Sequence, residues 1–132
     1  GLTLQDSIFT GTPETRNKVA KWLMEAPDTL NILFGHRPDY ILTVNDLPID
    51  LCLAGHTHGG QIRLPYIGPL ITFSLVPRDW ARGFREVGQT RLNVSAGIGA
   101  EHAAAMPSIR INCPPEMTLI RFEPVDRSVA IP

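Results

Sequence analysis

Two short apolar runs, "LNILF" at 30–34 and "IDLCLA" at 49–54, are separated by the stretch "RPDYILTVN". Both runs are apolar on successive residues rather than alternating, the pattern of strands covered on both faces of a parallel sheet. Pro38 opens the stretch between them with a backbone already set for a helical first turn, and Tyr40, Ile41 and Val44 continue it as a short helix. This strand, helix, strand order constrains the chain more than any other feature. Parallel neighbours need a crossover connection, so the sheet they begin belongs to an α/β protein.

The flanking sequence fits that start. "LTLQDSIF" near the beginning alternates as a strand does. "TGTPETRNKVAKWLMEAP" follows with Thr12 as N-cap, Pro13 at the first helical position and Glu14 in the first turn. Val19, Trp22, Leu23 and Ala26 then recur at i, i+3, i+4 and i+7, predicting an amphipathic helix that ends near Pro27. From Gly55 onward the pattern changes to turns and short strands: "QIRL", a proline-punctuated stretch over 65–79, "ARGFREVG" and "RLNVSAG" with Gly88-Gln89 as the hairpin turn between them, and a closing strand over 117–122. Eleven glycines and twelve prolines exceed average usage of about 7% and 5%. They gather after Ala54, so the loops there are abundant and specialised.

With 132 residues, 43% of them apolar, the chain can fill one core; no repeat and no second domain boundary is visible. A net charge of -1, from 12 basic and 13 acidic residues without runs, leaves no electrostatic footprint for a nucleic-acid polymer or an anionic membrane. No stretch approaches the ~20 apolar residues of a membrane span, and the first residues have no signal-peptide pattern. Cys52 and Cys113 lack CxxC spacing. Cys52, inside an apolar run, reads as a buried thiol; a disulfide to Cys113 stays open.

Ligand sites in open α/β sheets gather outside the carboxyl ends of parallel strands. His36 follows the first apolar run by two residues, and His56 follows the second by two. His58 shares the loop with His56, and Gly55, Gly59 and Gly60 allow tight or left-handed turns that bring the rings toward one rim. Neutral imidazole suits zinc, iron or manganese. Loop histidines are more often solvated, but the glycines and the third histidine at the equivalent strand end shift the balance to metal. His102, in "AEHAAAMP", reads as a surface or supporting residue.

Four segments in order, "LFGHRPDYI", "DLCLAGHTHGGQIRLP", "GFREVGQTRLNVSAGIG" and "MPSIRINCPPEMTLIRF", resemble the carboxyl-terminal half of calcineurin-like metallophosphoesterases of the bacterial phosphodiesterase branch. The resemblance runs from about Thr12 to Phe122. It implies that residues 1–132 are a single partial domain, the carboxyl-terminal half of a four-layer α/β-β/α sandwich. It implies two divalent metal ions (Mn, Fe or Zn) in the complete protein, His36 and His56 serving one and His58 the other, and hydrolysis of a phosphoester substrate by a metal-activated water. The family's Asp-x-His, Gly-Asp and Gly-Asn-His-Asp motifs do not occur in this sequence. The chain alone is therefore expected to be inactive and to expose apolar surface where the missing amino-terminal half would pack, and no catalytic residue is assigned within it.

Arg37 stands where the family more often has asparagine, and either contacts substrate phosphate or lies in solvent. Gln61, like Asn93, touches substrate or orients a histidine, or else stabilises its own turn. A membrane partner enters only through an upstream segment. The chain does not fix localisation; the resemblance favours the bacterial cytoplasm or the cytoplasmic membrane surface. A non-catalytic binding or scaffold module and a mononuclear zinc hydrolase are the competing readings.

Overall fold

The computed structural model describes residues 11–100 and 108–123. The strand expected over "LTLQDSIF", together with Glu101 and His102, lies outside the described residues. Helix α1 (Pro13–Glu25) starts as the sequence predicts, with the Thr15 N–H donating to Thr12 Oγ1 at 3.2 Å. Its buried face is Thr15 and Val19, joined by partly buried Ala20 and Leu23, while Trp22 is 43% exposed. The expected stripe is thus rotated: Trp22 sits on the shoulder, lining a groove with Val19, Leu23, Ile32 and Ile49.

Strand β1 (Ile32–Phe34) leads through a 3-10 turn over Pro38–Tyr40 into the short helix α2 (Ile41–Val44) and then strand β2 (Leu51–Ala54). Beyond it come a 3-10 turn at His58–Gly60, the two-residue strands β3 (Arg63–Leu64) and β4 (Gly68–Pro69), a 3-10 turn at Arg78–Ala81, and strands β5 (Gly83–Val87) and β6 (Thr90–Val94). One sheet has the order β1-β2-β6-β5, and β3 pairs with β4 separately. β1 and β2 run parallel with Phe34 opposite Leu53, and β2 and β6 run parallel with Ala54 opposite Val94. β5 returns antiparallel to β6 through Gly88 and Gln89. Gly88 takes φ 63°, the left-handed geometry of a two-residue hairpin, and a Cβ there would lie 2.6 Å from the Asn45 carbonyl oxygen. The fold is mixed α/β.

One sheet face is dry. Cys52, Ala54, Leu92 and Val94 point into a core with Val19, Ile41, Val44, Leu47 and Ile49. The other face carries Leu51, Leu53 and Asn93 at its centre, with Phe34 68% and Phe84 59% exposed at its flanks. Coverage on both faces, expected from the continuous apolar runs, is therefore only partial. Residues 116–118 and Ile120 border a groove of about 370 Å³ over Leu53 and Asn93.

The closing strand expected over 117–122 does not form. Glu116 donates its N–H to the Gly97 carbonyl at 2.9 Å, but a strand also needs a ladder partner, and none lies beside 117–122 among the described residues. Met117 is 84% and Leu119 90% exposed. "QIRL" yields only the two residues of β3, because Gln61 turns at φ 45°. Cys52 and Cys113 are both free and buried, so no disulfide joins them. No described helix is long and apolar enough to cross a membrane.

Candidate metal centre

The β1–β2 ladder continues past both strand ends and brings two histidines together. Gly35 donates to the Leu53 carbonyl at 2.9 Å, and Gly55 donates to the His36 carbonyl at 3.0 Å. The Tyr40 hydroxyl donates to Leu33 and Leu53 carbonyls at 3.2 and 3.1 Å, tying the two strands where the loops leave. Its ring lies against Gly35, where a Cβ would come within 2.2 Å of Tyr40 Cε1. Any larger residue before His36 would push the ring or the loop aside.

His36 Nε2 and His56 Nδ1 consequently face each other at 3.1 Å, with ring centroids 4.9 Å apart and planes at 67°. Two imidazole nitrogens on one tetrahedral zinc, each about 2.0–2.1 Å from the ion, are about 3.3–3.4 Å apart. The observed pair is within a few tenths of an ångström of that span, so its donors fit one shared ion. His56 Nε2, on the far side of the ring, meets the Phe73 carbonyl at 3.2 Å. A backbone carbonyl behind a histidine is a common support of metal-binding imidazoles.

His58 goes elsewhere. Its Nδ1 meets the Gly99 carbonyl at 3.2 Å, and no group of three His, Cys, Asp or Glu side chains able to hold an ion assembles among the described residues. The structure thus brings His36 and His56 together and sets His58 apart. The loop carrying these rings is strained: His56, His58 and Gln61 have φ of 68°, 48° and 45°, and Phe73, whose carbonyl meets His56, has 50°. Left-handed backbone at non-glycine residues costs energy and concentrates at functional sites. Gly59 between them has φ 65°, and a Cβ there would lie 2.5 Å from Cys113 Sγ.

Arg37 is engaged by the protein instead of extending into solvent. Its Nε donates to Asp39 Oδ2 at 2.8 Å, and its Nη2 donates to the Phe73 carbonyl that also meets His56. Asp39, 1% exposed, accepts further from Ser74 Oγ at 2.9 Å and from the Leu75 N–H. Burial pushes this carboxyl up, but the Arg37 hydrogen bond, those of Leu75 and Ser74, and the Arg37 charge together hold it below the usual carboxylate range. His56 is held below the usual histidine range, first by burial and then by the charges of Arg37 and His36, against the opposing effects of the Phe73 carbonyl and Asp39. A lowered value keeps its ring neutral and its lone pair available at neutral pH.

Gln61 is 3% exposed, and its backbone N–H donates to the His58 carbonyl at 3.1 Å, which closes its own turn. Asn93, 7% exposed, lies on the second sheet face beside Leu53. Arg110 is a functional residue that the sequence does not single out. This side chain donates to the carbonyls of His58, Ala96, Gly97, Gly99 and Cys113 and so ties the His58 turn to the loop after β6. Nothing in its local sequence distinguishes it from a surface arginine.

Fold and site together define an α/β protein with a histidine-bearing rim at the carboxyl ends of its parallel strands. The chain belongs to the metallophosphoesterase family. It is 33% identical over 118 residues to the metallophosphoesterase YkuE of Bacillus subtilis, a match covering 89% of this chain and 38% of that protein. It is 32% identical over 91 residues to phosphodiesterase YaeI of Escherichia coli, covering 69% of this chain and 32% of the relative. It is 35% identical over 107 residues to UDP-2,3-diacylglucosamine pyrophosphatase LpxG of Chlamydia trachomatis, covering 74% and 31%. The chain therefore spans about a third of the length of these curated relatives. No family model matches it, and no solved structure matches it.

Proposed function

We propose that this chain supplies three histidine ligands to the two-metal centre of a phosphoesterase, His36 and His56 to one divalent ion and His58 to a second. The observation that carries the reading is the 3.1 Å approach of His36 Nε2 to His56 Nδ1. The remaining ligands come from outside these residues, in the missing amino-terminal half of a four-layer sandwich. The half-covered sheet face, with Phe34 and Phe84 in solvent, supports that placement. Bound divalent ions of this kind polarise a phosphoryl oxygen and acidify the attacking water. The three rings hold their ions through neutral nitrogens, so binding weakens as acid protonates them.

The names of YaeI and LpxG, a phosphodiesterase and a pyrophosphatase, support a phosphoester or phosphoanhydride substrate. A substrate contact by Arg37 finds no support, since its guanidinium is engaged by Asp39 and Phe73. For Gln61, burial favours the turn-stabilising role over a substrate contact. His58, turned to Gly99 rather than toward the other two rings, favours the two-ion arrangement over a single zinc on three histidines.

Competitive zinc titration of the full chain and of His36→Ala, His56→Ala and His58→Ala tests the proposal. The first two substitutions are each expected to weaken the same site at least about tenfold, and His58→Ala to leave it intact. Equal affinity in all four proteins would overturn it.

A further inference from the structure

We propose that Arg37 and Arg110 are positioning residues that fix His56 and His58 in opposite tautomers, each by holding the backbone carbonyl behind one ring. The two arrangements have the same logic. Phe73 O accepts from Arg37 Nη2 and faces His56 Nε2 at 3.2 Å. Gly99 O accepts from Arg110 Nε at 3.1 Å and from Arg110 Nη2, and faces His58 Nδ1 at 3.2 Å.

A carbonyl oxygen accepts and never donates, so the ring nitrogen facing it must carry the proton. His56 is therefore protonated on Nε2, with its lone pair on Nδ1, and His58 is protonated on Nδ1, with its lone pair on Nε2. The His56 lone pair then points at His36 Nε2, the atom 3.1 Å away. Two residues apart in sequence, the rings thus keep their lone pairs on different nitrogens. That suits ligands of two different ions, and in this respect the inference rests on the function proposed above.

The arginines are needed because both carbonyls sit in loops outside any strand ladder. Phe73 lies in a left-handed turn, and Gly99 follows the end of β6 in an irregular segment. Each guanidinium is anchored on its other side. Arg37 is pinned by Asp39, which also holds Ser74 and Leu75, so one clamp grips the carbonyl and the two residues after it. Arg110 is pinned by the Ala96 and Gly97 carbonyls at 2.7 and 3.0 Å and by the His58 carbonyl at 3.1 Å. It thereby joins the backbone of His58 to the carbonyl that its ring addresses. A planar fork with five donors makes such simultaneous contacts, whereas lysine keeps the charge and loses the fork.

The test is imidazole 15N spectroscopy of the metal-free full chain at a pH above the histidine range of about 6.5. In the wild type, His56 is expected to show its proton on Nε2 and His58 on Nδ1. Arg110→Lys should mix His58 with the other tautomer and leave His56 unchanged, and Arg37→Lys should do the converse. Arg37→Lys should also weaken zinc binding at the His36–His56 pair about 10–100-fold, and Arg110→Lys should leave that affinity unchanged, as His58→Ala does. A wild-type His58 protonated on Nε2 would overturn the proposal, and needs no variant to fold. So would a lysine variant whose own histidine is unmoved, or variants that disturb both rings alike. The predicted tautomers without zinc affinity would sustain the positioning role and refute the metal reading instead.

Discussion

Replacing Asp39 with asparagine keeps the side chain's shape and removes its charge. The carboxylate is 1% exposed and accepts from Arg37 Nε at 2.8 Å, from Ser74 Oγ at 2.9 Å and from the Leu75 N–H. An asparagine oxygen still serves Ser74 and Leu75, but its amide NH2 then faces Arg37 Nε–H, donor against donor. Breaking a buried ion pair costs about 3–5 kcal/mol. Arg37 retains 22% exposure, so water recovers part of the loss, and about 2–3 kcal/mol is expected. For a domain of this size that lowers Tm by about 8–12 °C.

Urea unfolding followed by circular dichroism measures the difference, and its pH dependence has a definite sign. The folded-state value of Asp39 is depressed, so its stabilisation is fully present above the unfolded value of about 3.9 and is lost as pH falls through the lower folded value. The gap between wild type and Asp39→Asn should therefore be constant from pH 7 to about 5 and close below about 4. A gap at pH 7 below about 0.5 kcal/mol, the level of an ordinary surface change, or one that widens in acid, would refute the buried-clamp account.

Three further outcomes follow from the geometry. Gly59→Ala must place a Cβ 2.5 Å from Cys113 Sγ at φ 65°, and should cost about 2–3 kcal/mol in a thermal melt; an unchanged Tm would contradict the packing described. Cys52 is fully buried and its thiol is pushed up to about 11 by burial, so at pH 8 it should resist iodoacetamide until denaturant is added, as mass spectrometry would show; rapid native-state labelling would count against the core assignment. The chain alone should not turn over a chromogenic phosphodiester with manganese or zinc, because Asp39 is committed to Arg37 and is unavailable to bridge two ions; metal-dependent turnover lost in His58→Ala would overturn this.

The parts of the fold that were legible in the sequence are those set by local signals. Thr12 and Pro13 start α1, the apolar runs become β1 and β2, and Gly88-Gln89 turns the hairpin. The rim position of His36 and His56 was also legible, since parallel strands of similar length carry their following residues to the same edge. What escaped was set by partners distant in the chain. Residues 117–122 have the composition of a strand, yet composition supplies no ladder neighbour. Trp22 matches the helical period, yet the surface available to α1 accommodates Val19 and Leu23 more deeply. The supports of the histidines are backbone carbonyls at Phe73 and Gly99, and a carbonyl leaves no trace in the residue type. Arg37 and Arg110 are visible as charges, but their targets lie 36 and 11 residues away.

Anomalous diffraction from zinc-soaked crystals of the chain will show whether His36 and His56 share one ion, as proposed. A zinc peak is expected about 2.0–2.1 Å from both His36 Nε2 and His56 Nδ1, and none there in crystals of His56→Ala. A peak bound elsewhere with no density between these two nitrogens, or one that persists in His56→Ala, would contradict it.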